Sequence, residues 1–223
     1  MSSCTEHTIS CPRCGARGIF TAWDSVNVDI TPRLKEKVIS GELFRWVCPG
    51  CGSLITVPYP MLYHDMERQI MVYHLLRRKL GGNELFMMKM MGNRGLMSKY
   101  IMRSAYGIED FREKIVQLDS GLDDRAIEVL KYNLLHRDAL KEIPKGAELR
   151  FAGKEENSET GESVLRFYIV HLDFRDQPFL DVPDDAYNEI VNAGKLNSLF
   201  GNKETDYLEV SQEYISKVLK ITE

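Results

Sequence analysis

Apolar positions along the chain recur at two intervals, and the change of interval separates strand-like from helical stretches. From Gly18 to Asp29 they alternate in part, at Phe20 and Ala22 and then at Val26, Val28 and Ile30, among many β-branched residues. That period predicts a strand. Thr31-Pro32 predicts a helix start, with Thr31 as cap and Pro32 in the first turn. Leu34 and Val38 then share one helix face, and Gly41 supplies a stop. Leu43–Val47, Leu54–Tyr59 and Ile70–Leu75 read as further strands, with His64–Arg68 as a turn.

Residues 77–106 show no sustained period. Gly81, Gly82, Gly92 and Gly95 punctuate them, and they hold six of the ten methionines. They read as a long connection ending in a short strand near Tyr100–Ala105. A helical interval follows, since Ile108, Phe111, Ile115 and Leu118 are spaced 3, 4 and 3. After Gly121, Asp123 caps a second helix with Ile127, Leu130 and Leu134 on one face. Beyond the break at Pro144 and Gly146, strands are expected at Glu148–Ala152, Val164–Asp173 and Phe179–Val182. The polar loop Gly153–Glu162 joins the first two, and helices follow at Asp184–Val191 and from Ser211, where Tyr214, Ile215, Val218 and Leu219 face inward. The whole predicts an α+β protein. A β domain at 9–76, which the pairs Cys11/Cys14 and Cys48/Cys51 make zinc-ribbon-like, leads through the connection at 77–106 to helices and a small α/β C-terminal unit at 107–223.

Composition sharpens this. Of 223 residues, 43% are hydrophobic and 28% charged, a balance that supports a packed core. No apolar run reaches the roughly 18 residues of a membrane span, and Met1–Ser10 lacks a signal-peptide pattern, so a cytoplasmic protein is expected. The net charge of −4 is uneven. Residues 1–76 are neutral, 77–106 carry +6, and 107–223 carry −10. Phosphate must be met by local positive charge, so only the middle stretch offers a nucleic acid a contact. That charge comes from Arg77, Arg78, Lys79, Lys89, Arg94, Lys99 and Arg103 against Glu84.

The chemistry concentrates in one doubled motif, Cys11-Pro12-Arg13-Cys14-Gly15 and Cys48-Pro49-Gly50-Cys51-Gly52. Two such pairs supply four thiolates to one tetrahedral ion. Pro after the first cysteine presets the turn, and Gly after the second accepts the positive φ such a knuckle demands. The 33 residues between Cys14 and Cys48 exceed the usual ribbon spacing, and the helix at Thr31–Gly41 accounts for the excess as an insertion. Zinc is the commoner occupant of such pairs, and iron also suits four thiolates. A site closed by four sulfurs leaves no position for substrate, which favours a structural ion over zinc catalysis. Arg13, Arg17 and Arg45 can offset the −2 charge of a zinc tetrathiolate or simply be solvated.

Other candidates have plainer readings. Cys4 and His7 form a rival ligand pair in what reads as a frayed tail. Tyr63-His64-Asp65 reads as a hydrogen-bonded turn more than as an acid–base pair. His74, His136 and His171 each stand alone, as surface or satisfied core residues. Asp123-Asp124-Arg125 reads as a helix start with acids at the positive end of the dipole. Trp23 and Trp46 flank the knuckles and pack the small core beside them. No nucleophile elbow or phosphate-binding glycine loop is present.

The doubled CPxC, together with Trp23-Asp24-Ser25-Val26-Asn27-Val28-Asp29 and Leu62-Tyr63-His64-Asp65-Met66, resembles the CpXC-domain proteins of bacteria and archaea. Phe111-Arg112-Glu113-Lys114-Ile115 and Gly121-Leu122-Asp123-Asp124-Arg125 extend the resemblance, over residues 9–140. It implies zinc at Cys11, Cys14, Cys48 and Cys51 and supplies no reaction, the family's biochemical role not being established. The expectation is therefore a binding module with a structural Cys4 zinc ion. Its partner is a protein first, and a nucleic acid through residues 77–106 second. An enzyme with a site away from zinc, in an interdomain cleft, is the alternative. A redox sensor that releases zinc on oxidation is a third reading.

Overall fold

A computed structural model describes residues 1–76, 99–136, 143–156, 161–172, 176–202 and 207–221. The chain forms two compact units, one of residues 1–112 with 204–208 and one of residues 113–203 with 209–223. The architecture is α+β, and its strand-rich N-terminal part carries the cysteine knuckles.

The first unit is built on a sheet ordered β1-β2-β5-β6-β7-β11, with β1 Ser3–Ser10, β2 Arg17–Asn27, β5 Met61–Asp65, β6 Ile70–Leu75, β7 Ile101–Tyr106 and β11 Leu208–Glu209. β1 is antiparallel to β2, β2 is parallel to β5, and β6 is antiparallel to β5 and parallel to β7. Strand alternation sends Val26, Tyr63, Val72 and His74 into the interior. The helix α1 (Arg33–Ile39) adds Leu34 and Val38 to the buried set. Gly41 ends it with φ 75°, in the left-handed region where an L side chain is strained. A short 3-10 turn, Glu42–Phe44, then places Phe44 against the rings of Tyr59, His74 and Phe111, with centroids 5.0–6.1 Å apart. Phe111 lies on α2 (Ile108–Asp119). The hairpin of β3 (Arg45–Val47) and β4 (Leu54–Thr56) carries the second knuckle at its tip.

The second unit has an antiparallel sheet ordered β10-β9-β8, with β8 Glu148–Glu156, β9 Ser163–Val170 and β10 Phe179–Pro183. Leu165, Phe167 and Ile169 alternate inward on β9 and pack with Leu149, Phe151 and Val182. Ile127 and Leu130 of α3 (Asp124–His136) close the same core. Helices α4 (Asp184–Asn192), α5 (Leu196–Phe200) and α6 (Gln212–Ile221) complete the unit. A charged network is buried here. Lys131 Nζ donates to Glu113 at 2.6 Å and to Glu128 at 3.3 Å. Lys114 Nζ stands 3.2 Å from Asp124, and the amides of Gln117 and Gln212 donate to Glu128 at 2.9 and 2.7 Å. Burial alone works to raise the pKa of Glu128, but Lys131 and Lys114 hold it below the ordinary value.

Several expectations change. The N-terminal stretch read as a frayed tail is an edge strand, β1, paired with β2 over its length. His64 lies on β5, and the turn starts after Asp65. Pro32, not Thr31, takes the cap position of α1, with no side-chain cap bond. Neither α5 nor β11 was expected from the pattern. Arg103, counted with the basic stretch, has 0% exposure on β7, where its guanidinium donates to Met102 O at 2.9 Å. Arg77, Arg78, Lys79, Lys89 and Arg94, with Glu84, lie outside the described residues.

Candidate metal centre

Each CPxC segment folds into the same tight loop because its backbone bonds repeat at the same offsets. Cys11 N–H donates to Ala16 O and Gly15 N–H to Cys11 O, both at 2.9 Å. Cys48 N–H donates to Ser53 O and Gly52 N–H to Cys48 O, again at 2.9 Å. The amides of Arg13 and Gly50 each lie 3.4 Å from the first sulfur of their own loop, Cys11 Sγ and Cys48 Sγ. Gly15 and Gly52 carry φ of 74° and 68°, the conformation expected of them. The loops differ at one place for a steric reason. A Cβ on Gly50 would stand 2.6 Å from Cβ of Ala16 and 3.4 Å from Cys14 Sγ. The second loop therefore approaches the first closely enough that only glycine fits where the first loop carries Arg13.

The two loops bring Cys11, Cys14, Cys48 and Cys51 together, with all four sulfurs within 4.8 Å of one another. Across the loops Cys14 and Cys48 Sγ are 3.5 Å apart, and Cys11 and Cys51 Sγ 3.8 Å. Sulfurs bound to one tetrahedral ion at about 2.3 Å stand about 3.8 Å from each other, so the spacing fits such an ion. A disulfide needs about 2.05 Å, far shorter than either distance. Cys11 and Cys48 are buried, while Cys14 and Cys51 are exposed.

The electrostatics favour a cation. The Ser53 hydroxyl, 3.2 Å from Cys51 Sγ, and the Ser53 amide bring the Cys51 thiol down to about 6. The amide donated by the Cys14 backbone lowers that of Cys11. The Ala16 amide acts in the same sense on Cys14, but the neighbouring Cys51 and Cys48 sulfurs push it up to about 12. Four sulfurs this close cannot all lose their protons unaided, because each thiolate disfavours the next. A bound divalent ion removes that conflict.

Around the loops, Trp46 is buried and its Nε1–H donates to Ile19 O at 3.0 Å. Its ring closes over Gly18, where a Cβ would meet Trp46 Cζ2 at 2.7 Å. Trp23 is half-buried on β2. Arg13 Nη1 donates to Ser53 Oγ at 3.4 Å, and Arg17 and Arg45 are exposed. Sequence reasoning missed Ser53 and Ala16. The position of Ser53, two after the last cysteine, was the available signal.

The remaining candidates separate. Cys4 and His7 are exposed on β1, and among the described residues only the four motif cysteines form a potential metal cluster. Parallel pairing of β2 with β5 sets Asn27 beside His64. His64 Nδ1 is 3.4 Å from Asn27 Nδ2, and its Nε2 is 3.2 Å from the Tyr100 hydroxyl. Asp65 instead accepts the Arg68 amide at 2.8 Å, so His64 and Asp65 do not act as a pair. His74 is fully buried. Its Nδ1 donates to Tyr59 O at 2.6 Å, and Nε2 has no hydrogen-bond partner among the described residues. His136 stacks on Tyr132 with centroids 4.0 Å apart. Asp123 caps α3, its Oδ1 accepting the Arg125 amide at 3.1 Å, as a helix start requires.

Comparison with protein-family models places residues 9–131 in the family described as CpXC protein. The match covers more than half of the chain and contains all four motif cysteines, so this chain belongs to the CpXC family. Comparisons with curated proteins and with solved structures give no match. No helix among the described residues is long and apolar enough to cross a membrane.

Proposed function

We propose that the chain is a zinc-binding module in which Cys11, Cys14, Cys48 and Cys51 hold one structural ion. The observation that carries this reading is the spacing of the four sulfurs, 3.5 and 3.8 Å across the loops. Zinc would supply positive charge that lets all four thiolates coexist and would lock two short loops whose own apolar core is small. All four positions are filled by sulfur, so the site's role is to shape a surface rather than to activate a substrate.

That surface is best suited to a protein partner. On the hairpin, register sets Val47 opposite Leu54 and Arg45 opposite Thr56, all on one face and all exposed. Val47 is 61% and Leu54 58% exposed, next in sequence to Cys48 and Ser53. Aliphatic pairs beside an arginine suit a protein contact; single-stranded nucleic acid is more often held on aromatic platforms. Burial of Arg103 removes one of the seven cations on which a phosphate contact would draw. Elemental analysis of the full chain, purified without added metal, tests the core of the proposal. About one zinc per chain is expected for a single Cys4 site. Folded protein free of metal, or filled mainly with iron, refutes the zinc assignment.

A further inference from the structure

The second unit contains a groove of about 510 Å³ that the cysteine site does not explain. Its walls are α3 and α4 and its floor is β10. Leu130, Leu134, Leu180, Val182, Ala186 and Ile190 make it mainly apolar. Three polar side chains also line it, Asn133, Asp181 and Glu189. Asp181 is already neutralised, since Arg166 donates to both its oxygens at 2.7 and 2.8 Å. Asn133 on α3 and Glu189 on α4 make no side-chain hydrogen bond or ion pair among the described residues. Among the described residues no lysine or arginine lines the groove.

We propose that this groove binds a small amphipathic amine, its apolar body between α3 and α4 and its ammonium group against Glu189 and Asn133. The volume is in the range of small-molecule sites, roughly 300–1,000 Å³. The chemical class follows from these two polar groups, which have no side-chain partner among the described residues. A carboxylate and an amide carbonyl both accept hydrogen bonds, and an ammonium donates three. A carboxylate ligand of equal length would meet Glu189 with like charge, and a neutral alcohol would lose the charge-assisted bond.

The test uses the full chain and three probes of one length, n-octylamine, n-octanol and octanoate, with binding followed by ligand-observed NMR titration. Octylamine is expected to bind saturably and about tenfold or more tighter than octanoate, as one charge-assisted contact at a partly exposed carboxylate allows. Glu189→Gln should abolish the preference for the amine while leaving the weaker octanol binding. Ala186→Trp should block all three by filling the groove, with circular dichroism confirming that the fold is kept. If that variant unfolds, Ile190→Trp serves the same purpose from the next turn of α4. Equal binding of the three probes, no binding of octylamine, or amine binding that survives the filled groove overturns the proposal.

Discussion

In the first unit four cysteine sulfurs converge within 4.8 Å, two of them at the surface. In the second, Glu113, Lys114, Asp124, Glu128 and Lys131 converge in the interior. Both are crowded ionisable clusters, yet they are solved differently. The three acids are balanced by Lys114, Lys131 and the half-buried Arg150, which donates to Glu113 at 3.1 Å, with Gln117 and Gln212 taking up remaining valences. The sulfurs all carry the same sign once ionised and, among the described residues, have only backbone amides and one serine hydroxyl as donors. A cluster of like ligands needs an outside cation, whereas a cluster of opposite charges is complete by itself. Metal dependence is therefore expected in the first unit alone.

The largest effect should follow removal of the ion or a ligand. Both tryptophans, Trp23 and Trp46, belong to the first unit, so their fluorescence reports on it selectively. Cys48→Ser or a strong chelator should shift that signal to the unfolded value, because structural zinc contributes on the order of 10 kcal/mol to folding. Cys4→Ser, at an exposed strand position, should stay within about 0.5 kcal/mol of the parent protein. Equal behaviour of the two variants would mean the wrong ligands had been assigned.

Breaking the ionic cluster comes next. Lys131→Met leaves Glu113 and Glu128 buried beside fewer cations, a loss of about 3–5 kcal/mol in urea unfolding followed by circular dichroism. Chelator should leave this transition in place, which is the sharper half of the comparison. A cost below about 1 kcal/mol would show that water reaches the cluster.

A smaller effect is expected with pH. Burial holds the pKa of His74 below its ordinary 6.5, with the Tyr59 carbonyl opposing. The folded state therefore favours neutral imidazole. Its contribution is complete above about pH 6.5 and is lost as pH falls toward the folded value, by up to about 1.4 kcal/mol per pH unit. The same sign applies to His64, lowered by burial against Asp29 and Asp65. Metal release on protonation of thiolates would act in the same direction, so the control is His74→Phe at constant zinc. That variant should flatten the fluorescence-detected stability between pH 5 and 6.5, and an unchanged slope would remove His74 from the account. The smallest effect belongs to the surface ion pair of Arg166 with Asp181, where Asp181→Asn should cost about 1 kcal/mol or less in urea unfolding.

What was legible in the chain follows the same division between apolar period and polar contact. The cores of α2 and α3 and most of strands β8 to β10 were legible from their apolar residues, Ile115, Ile127, Phe151 and Phe167 among them, whereas polar Gly153–Glu156, read as loop, continues β8 in pairing with β9. The convergence of the four cysteines was legible because the doubled motif fixes type, spacing and turn residues together. β1 was not, since as an edge strand it is exposed on both faces and carries no apolar alternation to read. His64 was misplaced because its polar neighbours look like a turn, while its partner Asn27 is 37 residues away. The ionic cluster was hidden for a similar reason. Glu113, Gln117, Glu128 and Lys131 look like a solvated helix face until Gln117 is found between the two helices, bonded to both Glu113 and Glu128.

X-ray absorption at the zinc edge on the full chain, purified without added metal, tests the central claim most directly. The account predicts a first shell of four sulfurs at about 2.3 Å with no nitrogen or oxygen. In Cys11→Ser either the zinc content or the number of sulfurs around the ion should fall. A shell containing water or imidazole, or one unchanged when Cys11 is replaced, would contradict a closed site made by Cys11, Cys14, Cys48 and Cys51.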